Sequence, residues 1–169
     1  MVAILRLRIL FLAMITAVGV TTVPAVALAA STVTYGVSGF EYAATQTVGS
    51  FAGAAVATDD LGTWQATVVH GPLPVIPGGT TPVTGGAFSL NGRTRDLAGA
   101  IDGGTISLVT TTSCGKQTYS VAGHLTLAPS STGDATFGML LTHYRLSLFG
   151  RCITYGATVR GIVTFHLSA

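Results

Sequence analysis

The chain is predicted to be all-β: a small single-domain antiparallel β-barrel of about eight strands, with a β-sandwich as the alternative. Three observations lead there. Beyond residue 30 no window sustains an apolar repeat at three and four residues, while period-two alternation carried by Val, Thr, Tyr and Phe recurs throughout. Turn chemistry such as Asn91-Gly92 and Asp102-Gly103 interrupts that alternation at regular intervals. Several alternating runs also exceed the usual strand of about five or six residues, and their tight sequential links favour an up-and-down meander over Greek-key crossovers.

Residues 1–29 read as a cleaved secretory signal peptide, leaving 30–169 as the barrel domain. Arg6 and Arg8 form a basic start, Ile9 to Val20 an uncharged apolar run, and Ala27-Leu28-Ala29 a small-residue cleavage site. Thr21, Thr22 and Pro24 interrupt the second half, which argues against a permanent anchor. Arg6 and Arg8 are not adjacent and no cysteine lies near the cut, so the general secretory route is expected, with contact to the membrane only through the leader. A single lysine and a single asparagine beside abundant Ala, Val and Gly suggest a GC-rich bacterial genome.

Strands are expected over 33–46, 48–58 and 62–70, with Asp59-Asp60-Leu61-Gly62 as a surface turn. Residues 71–82 carry Pro72, Pro74, Pro77 and Pro82, none able to donate to a ladder, and are expected as an extended loop. Hairpins turning at Asn91-Gly92 and Asp102-Gly103 join strands 86–90, 95–101 and 105–112. Strands 117–127, 135–148 and 153–167 follow, with a loop at 129–134. The total is eight or nine. Gly39, Gly53, Gly99, Gly123 and Gly161 fall inside strands and suit the bulges by which a sheet curls closed. The succession of hairpins is similar in overall look to allene oxide cyclase and dirigent-type barrels. No functional motif of either family matches residues here, so nothing of their activity is carried over.

The chain has 8 Lys+Arg against 6 Asp+Glu, and loss of Arg6 and Arg8 leaves six of each. A near-neutral domain has no basic stripe for phosphates, so nucleic acid is not expected as a partner, and no polybasic run marks an anionic-lipid site. Cys114 and Cys152 are the only cysteines, and in an exported chain an isolated pair is most simply a disulfide.

Strand parity sorts the polar side chains. Trp64, Ala66, Val68 and His70 share one face, and so do Phe137, Met139, Leu141, His143 and Arg145. Glu41 shares the parity of Tyr35 and Val37 unless a bulge at Gly39 reverses it. The interior is therefore expected to hold Trp64, Val68, Tyr119, Val121, Leu125, Phe137, Met139, Leu141, Val163 and Phe165. Thr63, Gln65, Thr67, Thr118, Ser120, His124, Thr126 and Arg160 are expected outside.

Glu41, His143 and Arg145 are the candidate catalytic residues, and Trp64 and His70 the candidate ligand-binding residues, of a cavity that binds a small polar ligand or moves a proton. The plainer alternative is a strand end where these side chains reach water. His70, His124, His143 and His166 lie on separate segments without paired spacing, so neither a metal nor any other cofactor is expected. No G-x-S-x-G elbow or strand-to-helix glycine loop occurs. The expected function is a secreted or cell-envelope barrel, a non-catalytic module that binds a small molecule or an envelope component. An enzyme built on the Glu41 cluster and an outer-membrane barrel are the alternatives.

Overall fold

The computed structural model describes residues 30–129 and 132–168, and the leader expected at 1–29 lies outside them. Eight strands follow in chain order among the described residues: β1 Ser31–Ala44, β2 Val48–Val56, β3 Leu61–His70, β4 Thr80–Gly92, β5 Asp96–Thr111, β6 Lys116–Leu127, β7 Gly133–Leu148 and β8 Arg151–Leu167. Each pairs antiparallel with the next, and β8 returns to β1 to close the barrel, so the sandwich alternative is excluded. No helix among the described residues is long and apolar enough to cross a membrane.

Two turn expectations are corrected. Asp102-Gly103 is no hairpin: β5 runs straight through it, and Asp102 is an unpaired extra residue between Ile101↔Leu125 and Gly103↔His124. Its carboxylate accepts the Thr126 hydroxyl at 2.7 Å, which suits a bulge better than a reversal. That continuity makes the strand count eight and not nine. Asn91 still pairs with Asp96, and the reversal falls on Arg93-Thr94 instead. The expected loop also ends early, because Pro82 pairs with Thr105 within β4 and contributes its carbonyl to Gly71 N–H at 3.1 Å.

The interior is apolar. Tyr35, Trp64, Leu90, Leu108, Leu125, Val163 and Phe165 are almost wholly buried. Of the side chains expected inside, all are buried except Met139, which is half-buried against the same core. Thr63, Gln65, His124, Thr126 and Arg160 are exposed, while Thr67, Thr118 and Ser120 are half-buried on the outer side.

The mid-strand glycines do not mark bulges. The extra residues sit elsewhere, at Tyr42, Thr84, Asp102, Val109 and Tyr155. Gly123 instead makes room for an aromatic ring: a Cβ there would stand 2.6 Å from Phe137 Cζ. Gly53, opposite Trp64, likewise lets the indole reach across β2 and donate from Nε1 to Ser38 O at 3.2 Å.

One end of the barrel is closed by a buried polar knot. Asp60, expected on the surface, is 5% exposed. Its Oδ1 accepts the backbone N–H of Leu61, Arg93 and Thr94 at 2.9, 2.8 and 3.1 Å, and Oδ2 accepts the Tyr35 hydroxyl at 2.6 Å. The β2–β3 turn thereby fixes the β4–β5 turn, which is why the reversal shifts to Arg93-Thr94. Beside it Arg95 grips Asp59 at 2.7 and 3.2 Å.

The Tyr35 hydroxyl holds the Asp60 carboxyl down at about 2, helped by the Thr94 and Arg93 amides against desolvation. Burial, then Asp60 itself, pushes Tyr35 up to about 12. Ordinary values are about 4 and about 10, so the pair stabilises the fold fully between those limits. The Asp60 contribution is lost as pH falls from about 4 toward 2, and that of Tyr35 as pH rises from about 10 toward 12. Tyr35→Phe should cost roughly 1.5–3 kcal/mol at neutral pH and shrink the acid sensitivity, read by denaturant titration at several pH values. An unchanged midpoint would show that the bond contributes nothing.

Candidate functional site

The opposite end is open, and the mouth is built by small departures from regular pairing. The Tyr42 bulge follows Glu41 directly, so Glu41 keeps the inward parity of Tyr35 and Val37, and Gly39 pairs without a slip. Beneath its carboxylate lies Gly49, where a Cβ would meet Oε1 at 2.8 Å. His143 on β7 pairs with Ala157 on β8, the position next to the partner of Phe40. Because the side chain between them is only a methyl group, Glu41 and His143 meet across β8, with Nε2 3.2 Å from Oε2.

Both side chains are 11% exposed. The contact is one of proximity, since Nε2 makes no aligned hydrogen bond among the described residues. The His143 ring stands edge-on to Tyr119, centroids 5.4 Å apart. Burial raises the Tyr119 phenol, with the Arg145 charge opposing, and its hydroxyl donates to Gln117 Oε1 at 3.4 Å. Tyr119 therefore stays a neutral donor and acceptor at physiological pH.

Glu41, His143 and Arg145 line one solvent-open cavity of about 600 Å³, together with Gln117, Tyr119 and Thr154. That volume falls within the roughly 300–1,000 Å³ usual for small-molecule sites. Among the described residues Arg145 makes no ion pair. Below the mouth, Glu41 and His143 meet His70 around a pocket of about 50 Å³ walled by Phe51, Val68, Leu73, Ile106, Val121 and Leu141. His70 Nδ1 donates to Gly71 O at 2.6 Å. Deeper still, side chains fill the barrel except for a void of about 40 Å³.

Trp64 is not part of this group. It is 1% exposed, stacks on Phe88 with centroids 6.3 Å apart, and does not line the mouth. Sequence parity had placed Tyr119 in the core without connecting it to the site. Gln117, two positions earlier on the same face, was the available signal.

The β7–β8 hairpin forms one wall. It turns on Phe149 and Gly150, both with positive φ (51° and 74°). Cys152, just past that turn, is bonded to Cys114 in the β5–β6 loop, with α-carbons 5.5 Å apart. Cys152 and Ser113 both line the cavity, so the bridge fixes the rim. A disulfide is compatible with an extracytoplasmic location.

Fold and site together define a closed, disulfide-stapled barrel with an apolar interior and a polar, titratable mouth. No protein-family pattern, curated protein or solved structure matches the chain.

Proposed function

We propose that this is a secreted or cell-envelope binding barrel that holds a small organic acid in its mouth, the acid group against Arg145 and the apolar part along Leu73 and Val75. The observation that carries it is a cavity at the mouth that brings together a guanidinium without an ion pair among the described residues, a neutral phenol and an amide over an apolar floor. Export follows from the leader and is consistent with the disulfide. The interior is apolar and filled, where an outer-membrane barrel is polar inside, and Thr63, Gln65, His124 and Arg160 interrupt the outward Phe40, Leu140 and Ile162. Both favour a water-facing exterior over an outer-membrane barrel with its unbroken apolar band.

Octanoate, with octanol as the uncharged control, tests the binding. The protein should prefer octanoate in equilibrium dialysis, and Arg145→Gln should weaken octanoate binding tenfold or more while sparing octanol. A hydrogen bond to a charged group contributes about 1.5–3 kcal/mol, which sets that fold-change. Equal binding of acid and alcohol by both proteins would reject the role of Arg145, and no binding of either would reject the ligand class.

One observation favours a second reading, an enzyme. The Glu41 carboxylate against the His143 imidazole is an arrangement able to relay a proton to a bound molecule. Ligand recovered chemically unchanged after long incubation separates the non-catalytic reading from this one.

A further inference from the structure

We propose that the open end of the barrel docks onto an anionic lipid surface. The turn that leads there is the one at Phe149. Its φ of 51° is a left-handed conformation that Asn, Asp or Gly adopts readily and a bulky aromatic residue does not. The ring is 99% exposed and contributes nothing to the core. A side chain that the turn disfavours and the interior does not use has its purpose outside the fold.

Phe149 is not isolated. Leu148 beside it is 45% exposed, and the β3–β4 loop presents Val75 and Ile76 at 75% and 70%. The β3–β4 and β7–β8 connections lie four strands apart in an eight-strand ring, on opposite rims of the same mouth. Apolar tips on two opposite rims give a surface to enter and an orientation to hold.

Charge selects the occupant. The open end carries Lys116, Arg145 and Arg151, and its only carboxylate, Glu41, is held against His143. Asp59, Asp60, Asp96 and Asp134 lie toward the other end, where Arg93 and Arg95 offset two of the four, and Asp102 lies at mid-barrel. A near-neutral domain is thus polarised, positive at the mouth. No basic run marks this in the sequence, because the three cations come from different strands and only the fold gathers them. Two such mouths repel each other, whereas anionic headgroups attract one, and the apolar tips then reach the acyl boundary.

The test is sedimentation of the exported, processed protein with vesicles of phosphatidylcholine alone or mixed equally with phosphatidylglycerol. Binding should appear with phosphatidylglycerol, fall steeply as salt is raised, and drop tenfold or more in the double variant Phe149→Asn, Ile76→Ser. Because Asn suits the turn, the variant should melt no lower than the parent, which separates lost docking from lost fold. The proposal is overturned if the parent stays in solution at low salt. It is equally overturned if the variant binds as the parent does, or if the parent instead forms a dimer that the variant abolishes. Octanoate binding is measured without vesicles, so failure here leaves that reading standing, and the reverse holds too.

Discussion

Trp64→Ala is expected to destabilise the barrel by roughly 3–5 kcal/mol, the largest effect of any single truncation here. The indole is 1% exposed, lies against Phe88, and its N–H satisfies Ser38 O. Its removal leaves a void that neighbours cannot fill, because the facing position is Gly53, where a Cβ would collide with the Ser38 carbonyl. Denaturant titration should show a lower midpoint with an unchanged slope. Thr67→Ala, on the outer side of the same strand, should stay within about 0.5 kcal/mol. A comparable loss from both would mean that Trp64 is not the packing centre described.

Replacing Cys114 and Cys152 together by serine is the second large change, at roughly 2–4 kcal/mol through the unfolded chain, or on the order of 10 °C in melting temperature. Beyond stability, the variant releases the β7–β8 hairpin from the β5–β6 loop, and with it the wall that carries Arg145. Octanoate affinity should fall as well, although no substituted side chain is the proposed anchor. Intact-mass measurement of exported protein should give a chain beginning at Ala30 or Ser31, two hydrogens lighter than the dithiol. Two free thiols, or a chain starting at Met1, would contradict the bridge or the export.

Parity carried the sequence reading a long way. Alternation on 62–70 and 135–148 identified the buried faces, and the same rule aimed Glu41, His143 and Arg145 inward. What parity cannot supply is height along the barrel axis, which depends on strand tilt and stagger. Trp64 and His70 share a face of β3, yet only His70, six residues nearer the open end, reaches the pocket beneath the mouth. Meeting of Glu41 with His143 also depended on a strand between them that offers only Ala157. The Asp-Gly pair at 102–103 misled because its tolerance for unusual backbone serves a bulge as well as a hairpin. Asp60 looked like a surface turn residue because its partners, Tyr35 and the Arg93 and Thr94 amides, are remote in sequence.

Closure of the barrel has a consequence for how it forms. Seven ladders join neighbouring strands and can zip from their own turns, but the eighth joins β1 to β8, where Thr32 meets His166 from 134 positions away. No hairpin nucleates that seam, and the entropy of bringing its halves together is the greatest in the molecule. Until it engages, the chain is an open curled sheet with two unpaired edges, each a template for another chain. Afterwards no edge remains. The seam is thus a latch, and the interval before it shuts is when this protein is most exposed to aggregation.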